Sequence, residues 1–220
     1  MRSSSARHAQ HDRSVLSRWL PSGFEDIFRS QILRRQAYAA PGAADPSTFS
    51  WPELAEVLAA PAPDVLLVAK GERLELPPPK TLAELREYMH IGIGVAARKT
   101  ERHHERLAAI ARAFVAELGA AQVQLFATPG GTHGFGWHYD DEDVFILQTA
   151  GIKDYFFRAN TVAGHVPAQG SAFAEYARET SPLQTARLVP GDFLYIPARW
   201  WHVALCEADA LSISVGVVPR

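Results

Sequence analysis

His138 and Asp140 stand two positions apart in the run Trp137-His138-Tyr139-Asp140. In an extended strand, residues i and i+2 project to one face, so the imidazole and the carboxylate would point together and Tyr139 the other way. A neutral imidazole nitrogen and a carboxylate oxygen are two of the three donors of the facial triad that suits Fe(II), which leaves coordination positions open. His-x-Asp alone is a short pattern that also fits an ordinary half-buried strand. The third donor must come from elsewhere. His202 follows Pro190-Gly191-Asp192, the apolar run Phe193-Leu194-Tyr195-Ile196 and Pro197, and completes the set if its strand lies beside that of His138. Lys153, fifteen positions after His138, opens another apolar stretch with Ile152, Tyr155 and Phe156. Aimed into a barrel it would need an anion, and a dicarboxylate co-substrate is such an anion. Aimed outward it is an ordinary strand lysine.

Positioning these groups takes strands, and the second half of the chain has them. Val123-Gln124-Leu125-Phe126, Val144-Phe145-Ile146-Leu147, Tyr155-Phe156-Phe157, Phe193 to Ile196 and Leu211-Ser212-Ile213-Ser214-Val215 are strand-like. Pro129-Gly130-Gly131, Ala150-Gly151 and Pro190-Gly191-Asp192 are turn signals between them. Many short strands so spaced suggest a sandwich or barrel. The first half reads as helices and loops. Ser50-Trp51-Pro52-Glu53 and Thr81-Leu82-Ala83-Glu84 are capping boxes, Val65 to Ala69 is a short buried strand, and a helix is predicted from about Glu101 to Leu118 with Gly119 as its stop. The expected architecture is one α+β domain over residues 14–220. Its helical part runs to about 120 and packs on a β core over 121–218, while residues 1–13 form a disordered tail.

Composition narrows the chemistry. With 47% hydrophobic and 21% charged residues the 220-residue chain has an ordinary globular balance. A net charge of -2 argues against a general nucleic-acid binder, and no apolar run is long enough to span a bilayer. The expectation is a cytoplasmic protein without nucleic-acid or membrane partners. A single cysteine, Cys206, excludes an intrachain disulfide and a Cys-rich zinc module. Any metal site must therefore draw on the nine histidines and on carboxylates.

Taken together, Thr128-Pro129, Gly134-Phe135-Gly136-Trp137-His138-Tyr139-Asp140, Val144 to Gln148, Gly151-Ile152-Lys153 and Pro190 to Pro197 through His202 resemble the JmjC-type oxygenases. The nearest likeness is to the cupin-like branch that contains the ribosomal oxygenases. It is dense over about Val123 to Gly216 and thinner upstream. The resemblance implies a double-stranded β-helix (jelly-roll) core with flanking N-terminal helices. It implies Fe(II) held by His138, Asp140 and His202, and 2-oxoglutarate held at its distal carboxylate by Lys153. It implies an O2-dependent dioxygenase that hydroxylates an amino-acid side chain of a protein or peptide, with His or Arg favoured, while 2-oxoglutarate is decarboxylated to succinate.

The chain departs from that pattern in places. Gln124 and Phe126 stand where an Asn and a Tyr are usual, so another donor is needed for the co-substrate; Ser212 and Ser214 are the two candidates and the sequence does not choose. Tyr155 keeps the usual aromatic two places after the lysine. The sequence stops at Arg220, where ribosomal members continue into dimerisation and winged-helix segments, so a homodimer stays open. Other readings of the same residues are an N-methyl demethylase, a metal-binding cupin without oxidative turnover, and a zinc hydrolase.

Several motifs are set aside. Gly131 to Gly136 lies between strands and is expected as a lip beside the metal rather than a phosphate loop. Asp141-Glu142-Asp143 reads either as a contact for a basic substrate or as a solvated turn. His103 and His104 are neighbours on a predicted helix and cannot share a face. His133 and His165 fall in predicted surface loops. Trp200 and Trp201 pack around the site or stack on substrate, and Cys206 reads as a buried filler.

Overall fold

Alternation along three strands sets the layers. In the computed structural model, which describes residues 14–162 and 172–218, β5 (Ala121–Thr128), β6 (Asp143–Ala150) and β11 (Ala210–Val217) lie side by side, with β11 between the others. Val123, Leu125, Phe145, Leu147, Ile213 and Val215 turn to one face and are buried. Helix α4 (Glu105–Glu117) closes that face with Leu107, Ala111 and Phe114. Each large apolar side chain so buried contributes about 1.5–3 kcal/mol. The opposite face of β11 carries Ser212, Ser214 and Gly216, too small and polar to form a core of their own.

A second sheet covers that polar face. The large sheet has eight antiparallel strands in the order β1-β9-β6-β11-β5-β4-β2-β3, adding β1 (Tyr38–Ala40), β2 (Asp64–Ala69), β3 (Glu72–Leu74), β4 (Gly94–Arg98) and β9 (Phe193–Ile196). The small sheet is β10-β7-β8, from β7 (Lys153–Arg158), β8 (Gln184–Leu188) and β10 (Trp201–Cys206). Val144, Ile146, Leu194 and Ile196 meet Tyr155, Phe157 and Leu188 between the sheets. This is the jelly-roll arrangement that the sequence suggested, with the strands from Val123 to Val215 where they were expected. The remaining helices, α1 (Glu25–Ile27), α2 (Trp51–Ala59), α3 (Leu82–His90) and α5 (Ala172–Tyr176), surround it. None of the described helices is long and apolar enough to cross a membrane.

The Ser50 capping box is closed in both directions, while Thr81 caps its helix without the return bond, the Glu84 carboxylate accepting from the Lys80 N–H instead (2.6 Å). The Ser50 N–H donates to the Glu53 carboxylate at 2.8 Å, and Thr81 Oγ1 accepts from the Glu84 N–H at 3.2 Å. Two expectations for the first half need correction. It is mixed rather than helical, because β1 to β4 join the same sheet as β5. β4, Gly-Val-Ala-Ala-Arg, has little intrinsic strand preference and is a strand through its pairing with β2 and β5. The helix predicted from Glu101 starts at Glu105. Before it, Thr100 Oγ1 donates to the Val123 carbonyl at 3.0 Å and the Glu101 carboxylate accepts the Val123 N–H at 3.1 Å. These bonds hold Thr100–Arg102 in a 3-10 turn against β5 and leave His103 and His104 ahead of the helix. The predicted tail 1–13 and His165 lie outside the described residues.

Candidate active site

The metal-ligand candidates come together because the chain after β5 runs back along β10. The Gly131 N–H donates to the Cys206 carbonyl (2.8 Å) and the Cys206 N–H to the Thr132 carbonyl (3.1 Å). The segment then bulges and returns to pair at His138, which exchanges two backbone hydrogen bonds with His202, at 3.2 and 2.8 Å. His138 thus lies in an extended segment with a single bridge, not in a full strand. The two-residue alternation still holds: Tyr139 turns away and packs edge-on against the fully buried Trp201, centroids 4.7 Å apart. The bulge forms the expected lip. Gly134 and Phe135 line the cavity, and the Gly71 N–H at the tip of the β2–β3 hairpin donates to the Gly134 carbonyl at 3.0 Å.

His138, Asp140 and His202 each present a ligand atom, all within 4.8 Å of one another. Both rings are locked from behind. His138 Nδ1 faces the Gly136 carbonyl at 2.8 Å and His202 Nδ1 the Trp200 carbonyl at 3.0 Å. A carbonyl only accepts, so each Nδ1 carries a proton and each Nε2 is the ring nitrogen turned to the site. Burial, and then the neighbouring His138, pushes the pKa of His202 down to about 4. Its imidazole is therefore neutral near pH 7, the state in which it can coordinate. Two imidazole nitrogens and one carboxylate match the donor set of an Fe(II) facial triad.

Asp143 keeps this geometry in register. Its buried carboxylate accepts from the Tyr195 hydroxyl (2.7 Å), the Ala198 N–H (3.1 Å) and Arg34 Nε (3.3 Å). The Arg199 N–H donates to the Asp140 carbonyl at 2.6 Å. The residues after Asp140 are thereby tied to the turn that leads into His202. Asp143→Ala leaves the Tyr195 hydroxyl and the Ala198 N–H unsatisfied. It is expected to lower stability by about 3 kcal/mol, roughly 6–12 °C in Tm for a chain of this size. Thermal unfolding of the metal-free variant checks this, and an unchanged Tm would remove Asp143 from the account.

The triad opens on a cavity of ≈ 320 Å³ between the sheets. Lys153 points into it at 2% exposure. Its Nζ donates to Ser212 Oγ at 3.0 Å and lies 5.9 Å from the centre of the Phe126 ring. Among the described residues no carboxylate forms an ion pair with it, and burial pushes its pKa down. A buried ammonium with one hydroxyl partner lacks the anion that would offset its desolvation. Tyr155, on the same face of β7, lines the cavity as well. The choice between the two serines therefore resolves into two positions. Ser212 is engaged by Lys153, while Ser214 lines the cavity beside Gln124, its register partner. Phe126 supplies a ring face to the ammonium where a hydroxyl was missed. A carboxylate at the Lys153 end suits this set, so the residues fit a small dicarboxylic acid as well as a metal.

The acidic run is not a solvated turn as a whole, and its three members go to three environments. Asp141 is exposed and lies 3.6 Å from Arg199, Glu142 lines the cavity, and Asp143 is the buried anchor just described. His133 is half-buried rather than on the surface. Trp201 is core, Trp200 packs on the cluster between the sheets, and Cys206 is buried opposite Lys153. Sequence reasoning missed Arg98 and Gln122 as cavity residues, and named Glu142 only as part of the acidic run. The period-two placement of Ser212, Ser214 and Gly216 was the signal that a cavity faced β11.

Known proteins share this fold. A family model described as JmjC domain matches residues 96–220. Ribosomal oxygenase 1 of Gallus gallus is 37% identical over 98 residues, which cover 44% of this chain and 16% of that protein. The bifunctional lysine-specific demethylase and histidyl-hydroxylase NO66 of Drosophila pseudoobscura pseudoobscura is 34% identical over 93 residues, covering 42% of this chain and 10% of that protein. Among solved structures, YcfD, a ribosomal oxygenase from Escherichia coli, superposes with a TM-score of 0.63 at 21% identity, over 90% of this chain and 51% of that one. The same E. coli protein in complex with cobalt and 2-oxoglutarate gives a TM-score of 0.63 at 22% identity, over 90% of this chain and 52% of that one. This chain thus spans about half the length of the solved relative and a smaller share of the curated ones.

Proposed function

Since the chain belongs to the JmjC domain family, we propose that it is an Fe(II)- and 2-oxoglutarate-dependent dioxygenase that hydroxylates an amino-acid side chain of a protein or peptide. The observation that carries this reading is Lys153, a buried ammonium without an acidic partner among the described residues, in the same cavity as the three ligand candidates. The complex of the E. coli relative with cobalt and 2-oxoglutarate supports it.

His138, Asp140 and His202 would hold Fe(II), and Lys153 with Ser212 would hold the distal carboxylate of 2-oxoglutarate. Bound together with O2, these groups supply oxidative decarboxylation to succinate and CO2, coupled to oxygen insertion into a C–H bond. The chain's own contribution is placement. The carbonyls of Gly136 and Trp200 keep both Nε2 atoms aimed inward. Lys153 fixes the co-substrate's depth as a point charge. Phe135, Val144, Ile146 and Ala204 line the cavity with apolar surface that keeps water out and the target carbon close. The test is mass spectrometry of a peptide library incubated with the chain, Fe(II), ascorbate and 2-oxoglutarate. A gain of one oxygen at a defined residue, absent without 2-oxoglutarate, is the expected result. No modified peptide would count against hydroxylation.

A further inference from the structure

One aromatic ring from a distant part of the chain touches the neighbours of both ligand histidines. Trp137 precedes His138 and Trp201 precedes His202. In extended chain, adjacent side chains project to opposite sides, so both tryptophans turn away from the cavity that the imidazoles face. Tyr176, on α5, stacks on Trp137 with ring centroids 3.9 Å apart and planes 12° from parallel. The same ring meets Trp201 edge-on at 5.7 Å. Trp201 in turn packs on Tyr139, the residue after His138. An aromatic layer therefore backs both histidines, and Tyr176 is the member that comes from neither ligand-bearing segment.

Tyr176 is itself held in place. Its carbonyl accepts the Glu179 N–H at 2.9 Å. The buried Glu179 carboxylate accepts from the N–H and the hydroxyl of Thr161, just beyond β7, each at 2.6 Å, and from the Ser181 N–H, ahead of β8, at 2.9 Å. Arg158, the register partner of Trp201, donates to Ser181 Oγ at 3.3 Å and sets its guanidinium 5.7 Å from the centre of the Tyr176 ring. The ring thus stands on a frame made by the ends of β7 and β8, in the same sheet as His202. His138, by contrast, meets that sheet through a single bridge next to a bulge. A ligand side chain has to be held to within about 0.5 Å by packing around it, and one bridge is a weak clamp for that.

We propose that Tyr176 is a positioning residue for the metal site: its ring clamps Trp137 to Trp201 and so holds His138 and His202 at the spacing a metal ion needs. The proposal rests on the ligand assignment above. An aromatic pair of this kind shifts an equilibrium by about two- to tenfold, and Tyr176 makes two of them. Phenylalanine at this position keeps both ring contacts, whereas alanine keeps neither. A ring that served packing alone would, when lost, loosen the whole domain evenly and leave the His138–His202 bridge no worse than the rest.

The test reads the bridge and the metal separately. In the full metal-free chain, amide hydrogen exchange of His138 and His202, whose N–H groups form the bridge, is followed by NMR. Both amides should exchange about tenfold faster in Tyr176→Ala and at the wild-type rate in Tyr176→Phe, while amides of β5 and β11 keep their rates. Fe(II) affinity, titrated anaerobically against a competing chelator, should fall about tenfold in Tyr176→Ala and be restored in Tyr176→Phe. Tyr176→Leu, which keeps apolar volume without the stack, should match Tyr176→Ala and stands in for it if thermal unfolding finds that variant unfolded. Even acceleration across all strands, unchanged exchange at His138 and His202, wild-type Fe(II) affinity in Tyr176→Ala, or no restoration by phenylalanine would overturn the proposal. A wild-type chain that binds no Fe(II) would count against the ligand assignment instead, and the exchange rates would still decide whether Tyr176 holds the bridge.

Discussion

Replacing His138, Asp140 or His202 by alanine will abolish tight binding of Fe(II), with affinity falling by more than about a hundredfold. Losing only the hydrogen-bond partner behind a ligating histidine costs roughly 10–100-fold in metal affinity, and losing the ligand itself costs more. Here three donors are all that the described residues offer within 4.8 Å of one another, so no fourth side chain takes over. Anaerobic titration of Fe(II) against a competing chelator measures the affinity. Thermal unfolding supplies an independent check, because a ligand that binds only the folded state raises Tm. The wild-type chain should be stabilised by Fe(II) and the three variants should not. Wild-type-like binding in both His138→Ala and Asp140→Ala would refute the ligand assignment.

Lys153→Ala separates co-substrate binding from metal binding. Truncating one partner of a buried, hydrogen-bonded charge pair costs about 2–5 kcal/mol, so the 2-oxoglutarate requirement should rise by about two orders of magnitude. Metal affinity should change little, since the side chain ends at Ser212 and the Phe126 ring rather than at the triad. The measurement is the 2-oxoglutarate dependence of binding or turnover, set beside the Fe(II) titration of the same variant. Equal loss of both would argue against the role given to Lys153. The variant should still fold, because it removes a buried ammonium that has no anionic partner among the described residues.

What could be read from the sequence follows from periodicity and spacing. The strands from Val123 to Val215 were legible because two-residue alternation and Pro-Gly turn signals agree there. Placing His138 and Asp140 on one side needed only that alternation, even though the segment makes a single bridge instead of a ladder. β4 and β8 were not legible. Gly-Val-Ala-Ala-Arg and Gln-Thr-Ala-Arg-Leu lack strand preference and owe their conformation to their neighbours. The start of α4 was displaced because Thr100 and Glu101 bond to Val123, a contact across 22 to 23 positions that no local pattern contains. The acidic run Asp141-Glu142-Asp143 failed as a unit for a similar reason. Three adjacent acids on a twisting chain enter three environments, and only the partners Arg199, Gly216 and Tyr195 distinguish them.

The oxygenase reading stands most directly on co-substrate turnover. The full chain, loaded with Fe(II) and supplied with ascorbate, 2-oxoglutarate and O2, should form one succinate for each 2-oxoglutarate consumed. Asp140→Ala under the same conditions should form none. Absence of succinate from iron-loaded wild-type protein, even with a broad peptide library present, would contradict the account.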